Sequence, residues 1–185
     1  MTAPIRQKEM TRFADSIGYI FSLGLKQKEV LCDEIFQKQP QLLFEVLELN
    51  HHSVPMDRIE HVLNLLLVFY DFFYDRGKIE LPKVTEKMIY DARDNIDAML
   101  ELMDKEGGPV ASAPLMKKAT LAYPEIEALA FFTGYMNDNG FTVRTIENEY
   151  CLSAGKVILD CFMRVKKQKK KKRVPPDDKG MNRDA

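Results

Sequence analysis

Tryptophan is absent from this 185-residue chain, and histidine and cysteine occur only three times each. The cysteines, Cys32, Cys151 and Cys161, are odd in number and form no Cys-x-x-Cys pair. That excludes a closed disulfide framework and a four-cysteine zinc site, and it points to reduced thiols of a cytosolic protein. Long apolar runs are also missing. The longest, VLNLLLVFYDFFY at 62–74, has 13 residues and contains Asn64 and Asp71, well short of the roughly 18 a membrane span needs. The opening MTAPIRQKEMTRFADSIGYIF carries Arg, Lys and Glu where a secretory signal needs an apolar stretch.

Catalytic signatures are equally scarce. His-Glu-x-x-His, Gly-x-Ser-x-Gly and Gly-x-Gly-x-x-Gly do not occur. Ser153-Ala-Gly-Lys156 fits the Ser-x-x-Lys of penicillin-binding enzymes, but their Ser-Asp-Asn and Lys-Thr-Gly elements are missing. Gly18 and Gly24 bracket five residues without the Gly-Lys-Ser/Thr of a phosphate loop. Nothing here points to catalysis. No cofactor is implied.

What is present is helical periodicity. Hydrophobic residues make up 45% and charged residues 30%, which suits a globular chain of one domain. Met10, Phe13, Ala14, Ile17 and Phe21 form one stripe. Val30, Leu31 and Ile35 form a second, which Pro40 ends by pushing residue 39 out of the helical region. QLLFEVLEL (41–49) is a third. Next, Ser53 is an N-cap candidate, with Pro55 and Asp57 behind it. Ile59, Val62, Leu66, Phe69 and Phe73 follow in steps of three and four. Leu63, Leu65, Leu67, Val68, Tyr70 and Phe72 widen that stripe to nearly the whole circumference. Such a helix belongs in the middle of a bundle, and Gly77 is its expected stop.

Met88, Ala92, Ile96, Met99 and Met103 give a narrow seam over 84–108. PVASAP (109–114) reads as a linker, and Ser112 as a cap for a short helix. Further helices are predicted from Pro124 to NDNG (137–140) and from Thr145 to Val165. KIELPKV (78–84) is the one strand candidate, demoted by Pro82. The expected architecture is all-α: a single-domain bundle of six or seven helices over 1–165, with a disordered basic tail over 166–185. The helix is expected to fray from about Lys167, because its like charges repel at i,i+4.

Three groups of residues are site candidates. Every histidine lies between 47 and 61. Glu48-Leu-Asn-His51 has the Glu-x-x-His spacing of di-iron bundles, but no second copy exists. A mononuclear site of Glu48, His51 or His52, and His61 would need the turn at 51–54 to fold back. The alternative is a dipole-favoured histidine at a helix end. The second group is a polar line along the fourth helix, Asp57, His61, Asn64, Asp71 and Asp75. Asn64 and Asp71 either line a polar pocket between helices, or form a solvent-facing strip or fix helix register.

The third group is KKQKKKKR: Lys166, Lys167, Lys169, Lys170, Lys171, Lys172 and Arg173. Residues 164–185 hold ten Lys/Arg and three Asp/Glu, net +7, which leaves 1–163 at −8. The run could grip nucleic-acid phosphates, rest on an anionic membrane surface, act as a nuclear address in a eukaryote, or simply aid solubility. The leading expectation is a non-enzymatic cytoplasmic interaction module. It would bind a protein partner, or itself, through an apolar helix face, and Met88, Met99, Met103, Met116, Met136 and Met163 would lend that face adaptability. The alternatives are a small helical metal-binding protein or metalloenzyme using Glu48, His51, His52 and His61, and nonspecific contact with nucleic acid or an anionic surface through the basic run.

Overall fold

The computed structural model describes residues 3–106 and 113–173. Within them the fold is all-α, with eight helices and no strand. They are α1 (Ala3–Ser22), α2 (Leu25–Lys38), α3 (Pro40–Leu47), α4 (Met56–Tyr74), α5 (Glu86–Lys105), α6 (Ala113–Leu121), α7 (Ile126–Asp138) and α8 (Ile146–Arg173). A single 3-10 turn, Glu48–Asn50, extends α3. The count slightly exceeds the expected six or seven. The strand candidate over 78–84 is an irregular connection instead. PVAS of the linker, with Ser112, lies outside the described residues, as do 174–185 of the tail.

α4 is the hub. From Asn64 to Tyr74 every residue is buried, and the helix packs against α1, α2, α3 and α8. Each large apolar side chain withdrawn from water contributes about 1.5–3 kcal/mol, so this one helix organises much of the core. α8 is its principal neighbour and brings Cys151, Ala154, Val157, Ile158, Cys161, Phe162 and Val165 into the interior. Phe73 and Phe162 stack across that contact, with ring centroids 5.1 Å apart. Gly155 allows the close approach. A methyl placed there would come within 2.7 Å of Phe132 Cε2 and 3.3 Å of Leu65 Cδ1. No helix among the described residues is long and apolar enough to cross a membrane.

Helix ends correct the sequence reading at two places. Ser53 does not cap α4: its φ is +57°, and the helix begins behind Pro55 without a side-chain cap. Ser53 instead closes the preceding turn, where the Val54 amide donates to Leu49 O at 3.2 Å. That is the left-handed helix stop usually given to glycine, with Leu49 and Val54 both buried beneath it. α4 likewise ends before Gly77. Asp75 takes the left-handed position and the Arg76 amide donates to Asp71 O at 3.4 Å.

α8 runs eight residues beyond Val165 as continuous helix, about 42 Å in all at 1.5 Å per residue. The expected fraying at Lys167 therefore does not occur: the backbone stays helical to Arg173.

Candidate functional site

The histidines do not converge. His51 and His52 are exposed at the end of the 3-10 turn, and His52 stacks on Tyr150 of α8 at 4.2 Å. His61 is half-buried one helix away, its Nδ1 2.9 Å from the Tyr135 hydroxyl. Glu48 is claimed by Arg93, whose Nη2 donates to it at 2.7 Å. Among the described residues, no three His, Cys, Asp or Glu side chains are grouped to hold a metal ion. Glu48, His51, His52 and His61 are thus not brought together as a metal-holding group.

The polar line of α4 divides. Asp57 faces solvent, whereas Asn64 and Asp71 are 7% and 5% exposed. The solvent-facing strip does not describe them, since both are buried against neighbouring helices. Lys28 Nζ of α2 donates to Asn64 Oδ1 at 2.9 Å. Asn64 also bonds to Tyr135 of α7, which reaches His61. This satisfied chain ties three helices together. Asp71 fares less well. Ser16 of α1 donates to it, Arg76 Nε lies 3.9 Å from Oδ2, and Oδ2 has no hydrogen-bond donor. Burial pushes its carboxyl above the usual range, against the pull of Ser16 and Arg76.

The other sequence candidates also find partners. Lys156 of the Ser-x-x-Lys stretch donates to both oxygens of Asp160 at 2.6 Å, and Asp160 accepts from Tyr123. A lysine held in this way is no base for Ser153. Cys151 and Cys161 are buried, which pushes their thiols up to about 11 and about 12. They are packing groups rather than nucleophiles. In the basic run, Lys166 pairs with the buried carboxylate of Glu125. Lys169 Nζ donates to Glu80 O at 2.6 Å, and Lys167 is exposed. The side chains of Lys170, Lys171, Lys172 and Arg173 lie outside the described set.

A larger hollow of about 290 Å³ lies between Pro55, Arg58, Val143 and Asn148. Two of its polar groups are already used. Arg58 Nη1 donates to Asn139 O at 2.8 Å, and Asn148 Nδ2 donates to Val143 O at 2.8 Å. It staples the turn into α8.

A smaller concavity was not read from the sequence. It is a groove of about 150 Å³ between α3 and α5, lined by Gln41, Phe44, Glu45, Glu48, Ile89 and Arg93, with Glu86 and Tyr90 at its side. Its floor is an ion cluster. Arg93 Nη2 donates to Glu45 Oε2 at 2.9 Å and to Glu48 Oε2 at 2.7 Å, while Nε reaches Glu45 Oε1 at 3.3 Å. Glu45 is 6% exposed. Burial pushes its carboxyl upward, and Arg93 opposes that. The rim is aromatic: Phe44 is 48% exposed and Tyr90 60%. Phe36 of α2, 52% exposed, meets Phe44 edge to face at 6.0 Å. No family model, curated protein or solved structure matches this chain. Its own residues therefore carry the functional reading, and this groove is where an unpaired aromatic surface, a shaped concavity and fixed charge coincide. The sequence signal was available as Phe44 and Tyr90 on the polar sides of their helices, but helical periodicity counts such residues as exceptions.

Proposed function

We propose that this chain is a non-enzymatic interaction module, and that it binds a protein partner through the α3–α5 groove. The carrying observation is the aromatic rim. Phe36, Phe44 and Tyr90 stay half-exposed beside a concavity, although each could have been a polar residue without loss to the core. Large aromatics on a surface hollow are typical of the residues that dominate binding energy at interfaces. Beneath them Arg93 is locked between two glutamates, so the floor is rigid and needs little ordering when a partner arrives. Glu45, Glu48 and Glu86 outnumber Arg93 in the lining, which favours a partner with an apolar anchor flanked by cations. We place the module in the cytoplasm, in keeping with three free cysteines.

The double variant Phe44→Ser with Tyr90→Ser tests the reading. Both side chains are half-exposed, so helix content and melting temperature should hardly change. A partner retained by the native chain should be lost by the variant, since removing an aromatic anchor costs about 2 kcal/mol or more. Self-association in sedimentation velocity, where the partner is a second copy, should vanish likewise. Equal retention and equal self-association by native chain and variant would exclude the groove.

A further inference from the structure

The seven cations of residues 166–173 do two different jobs. Lys166 points into the body. It pairs with Glu125 and lies 5.7 and 5.5 Å from the centroids of the Phe72 and Phe73 rings. Lys169 donates to Glu80 O. At about 100° per residue these two sit about 60° apart on one side of α8. Lys167 is exposed on another side. The helical backbone then carries Lys170, Lys171, Lys172 and Arg173 one turn past Lys169. The run is thus the stiff end of a core helix, with two lysines fixing its direction.

We propose that this end, through Lys167 and residues 170–173, grips the phosphate backbone of double-stranded nucleic acid. The reading does not depend on the α3–α5 groove. Two features select this ligand. No apolar residue lies within 166–173, and Val165 just before it is buried. An interfacial membrane helix needs an apolar face to enter the acyl layer, and none is free here. No aromatic residue lies in the run either, so it lacks the stacking platforms of single-strand binders. A duplex asks for neither. It presents closely spaced phosphates along a groove wide enough to admit a helix.

The charge layout supports the same approach. Residues 1–163 carry −8 and residues 164–185 carry +7. Such an asymmetry turns the basic end toward a polyanion and the body away from it.

The test is fluorescence anisotropy of a short mixed-sequence DNA duplex titrated with the full chain at several salt concentrations. Five phosphate contacts predict a log–log salt slope of roughly −4 to −5. Lys167→Gln with Lys171→Gln should flatten the slope by about two and weaken binding at least tenfold at low salt. Lys169→Gln, which removes only an anchor, should leave the slope unchanged. Absence of duplex binding at low salt would overturn the proposal, as would a salt slope unaffected by the double substitution. Tighter binding to phosphatidylserine-containing vesicles than to the duplex would also overturn it, by assigning the run to a membrane surface.

Discussion

Single residues between helices fix this fold as firmly as its apolar stripes do, and Gln39 shows it best. It is fully buried. Its Nε2 donates to the Tyr74 hydroxyl at 2.6 Å and to Pro82 O at 2.9 Å, and its Oε1 accepts from the Val84 amide at 2.7 Å. One side chain thereby ties the α2–α3 break to the end of α4 and to the connection before α5. The backbone bend at residue 39 was readable, because Pro40 forces it, and φ −140°, ψ 57° bears that out. The partners were not, since they lie 35 to 45 residues away. Gln39→Leu would strand a hydroxyl, a carbonyl and an amide in the interior. A buried polar group left unpaired costs about 1–3 kcal/mol, so a loss of about 3–5 kcal/mol is expected in urea unfolding. Tyr74→Phe removes one bond of the three and should cost about 1 kcal/mol. A Gln39→Leu loss no larger than that of Tyr74→Phe would show that the clamp is not a unit.

At the scale of elements, legibility followed the strength of the apolar pattern. α4 was read correctly as central, because its side chains are apolar nearly all round. α1 was read with only part of its inner face. Phe13 is buried and Ile17 packs on the core as expected, but Met10, Ala14 and Phe21 are exposed, and Ser16 and Ile20 are buried instead. Part of the error has a physical source: Ser16 is buried near Asp71, whose charged form it favours, and a buried serine is invisible to a count of apolar steps. Glu48 was misassigned for a similar reason. Its spacing to His51 is local and visible, while its true partner Arg93 is 45 residues distant. The persistence of α8 through its lysines came from tertiary contacts, Lys166 with Glu125 and Lys169 with Glu80, which override the local repulsion.

Gly155 gives this scale its prediction. In isolation Gly→Ala within a helix gains about 1 kcal/mol. Here the added carbon meets a nearly buried phenyl ring at 2.7 Å, and overpacking a tight core typically costs about 1–3 kcal/mol. Gly155→Ala should therefore lower stability slightly, and Gly155→Val should lower it by about 2 kcal/mol or more. An alanine variant that melts above the native chain would mean that α7 yields freely.

The whole molecule carries opposed proton linkages, and their balance predicts how its stability responds to pH. Burial holds the carboxyls of Asp71 and Glu45 above their ordinary range. A group whose folded value is raised binds its proton more tightly in the native state. Its stabilising share is complete below the unfolded value and is lost as pH rises through the raised one. Glu34 and Asp91 run the other way. Lysine hydrogen bonds hold them low, so their share is present at neutral pH and lost on acidification. Both are well exposed, and exposed pairs of this kind contribute little.

Asp71 should therefore leave the clearer mark, because its Oδ2 is buried without a hydrogen-bond donor. Asp71→Asn keeps an acceptor for Ser16 and abolishes the charge. Near pH 7 to 8 the variant should be more stable than the native chain, because it no longer carries a charge that burial disfavours. The two should converge near pH 4, where a free aspartate is half protonated. Thermal unfolding of both chains across that range measures the difference. A gap that stayed constant with pH would locate its cause in packing. A variant less stable than the native chain at pH 8 would mean that Arg76, 3.9 Å from Oδ2, already compensates the buried charge in full.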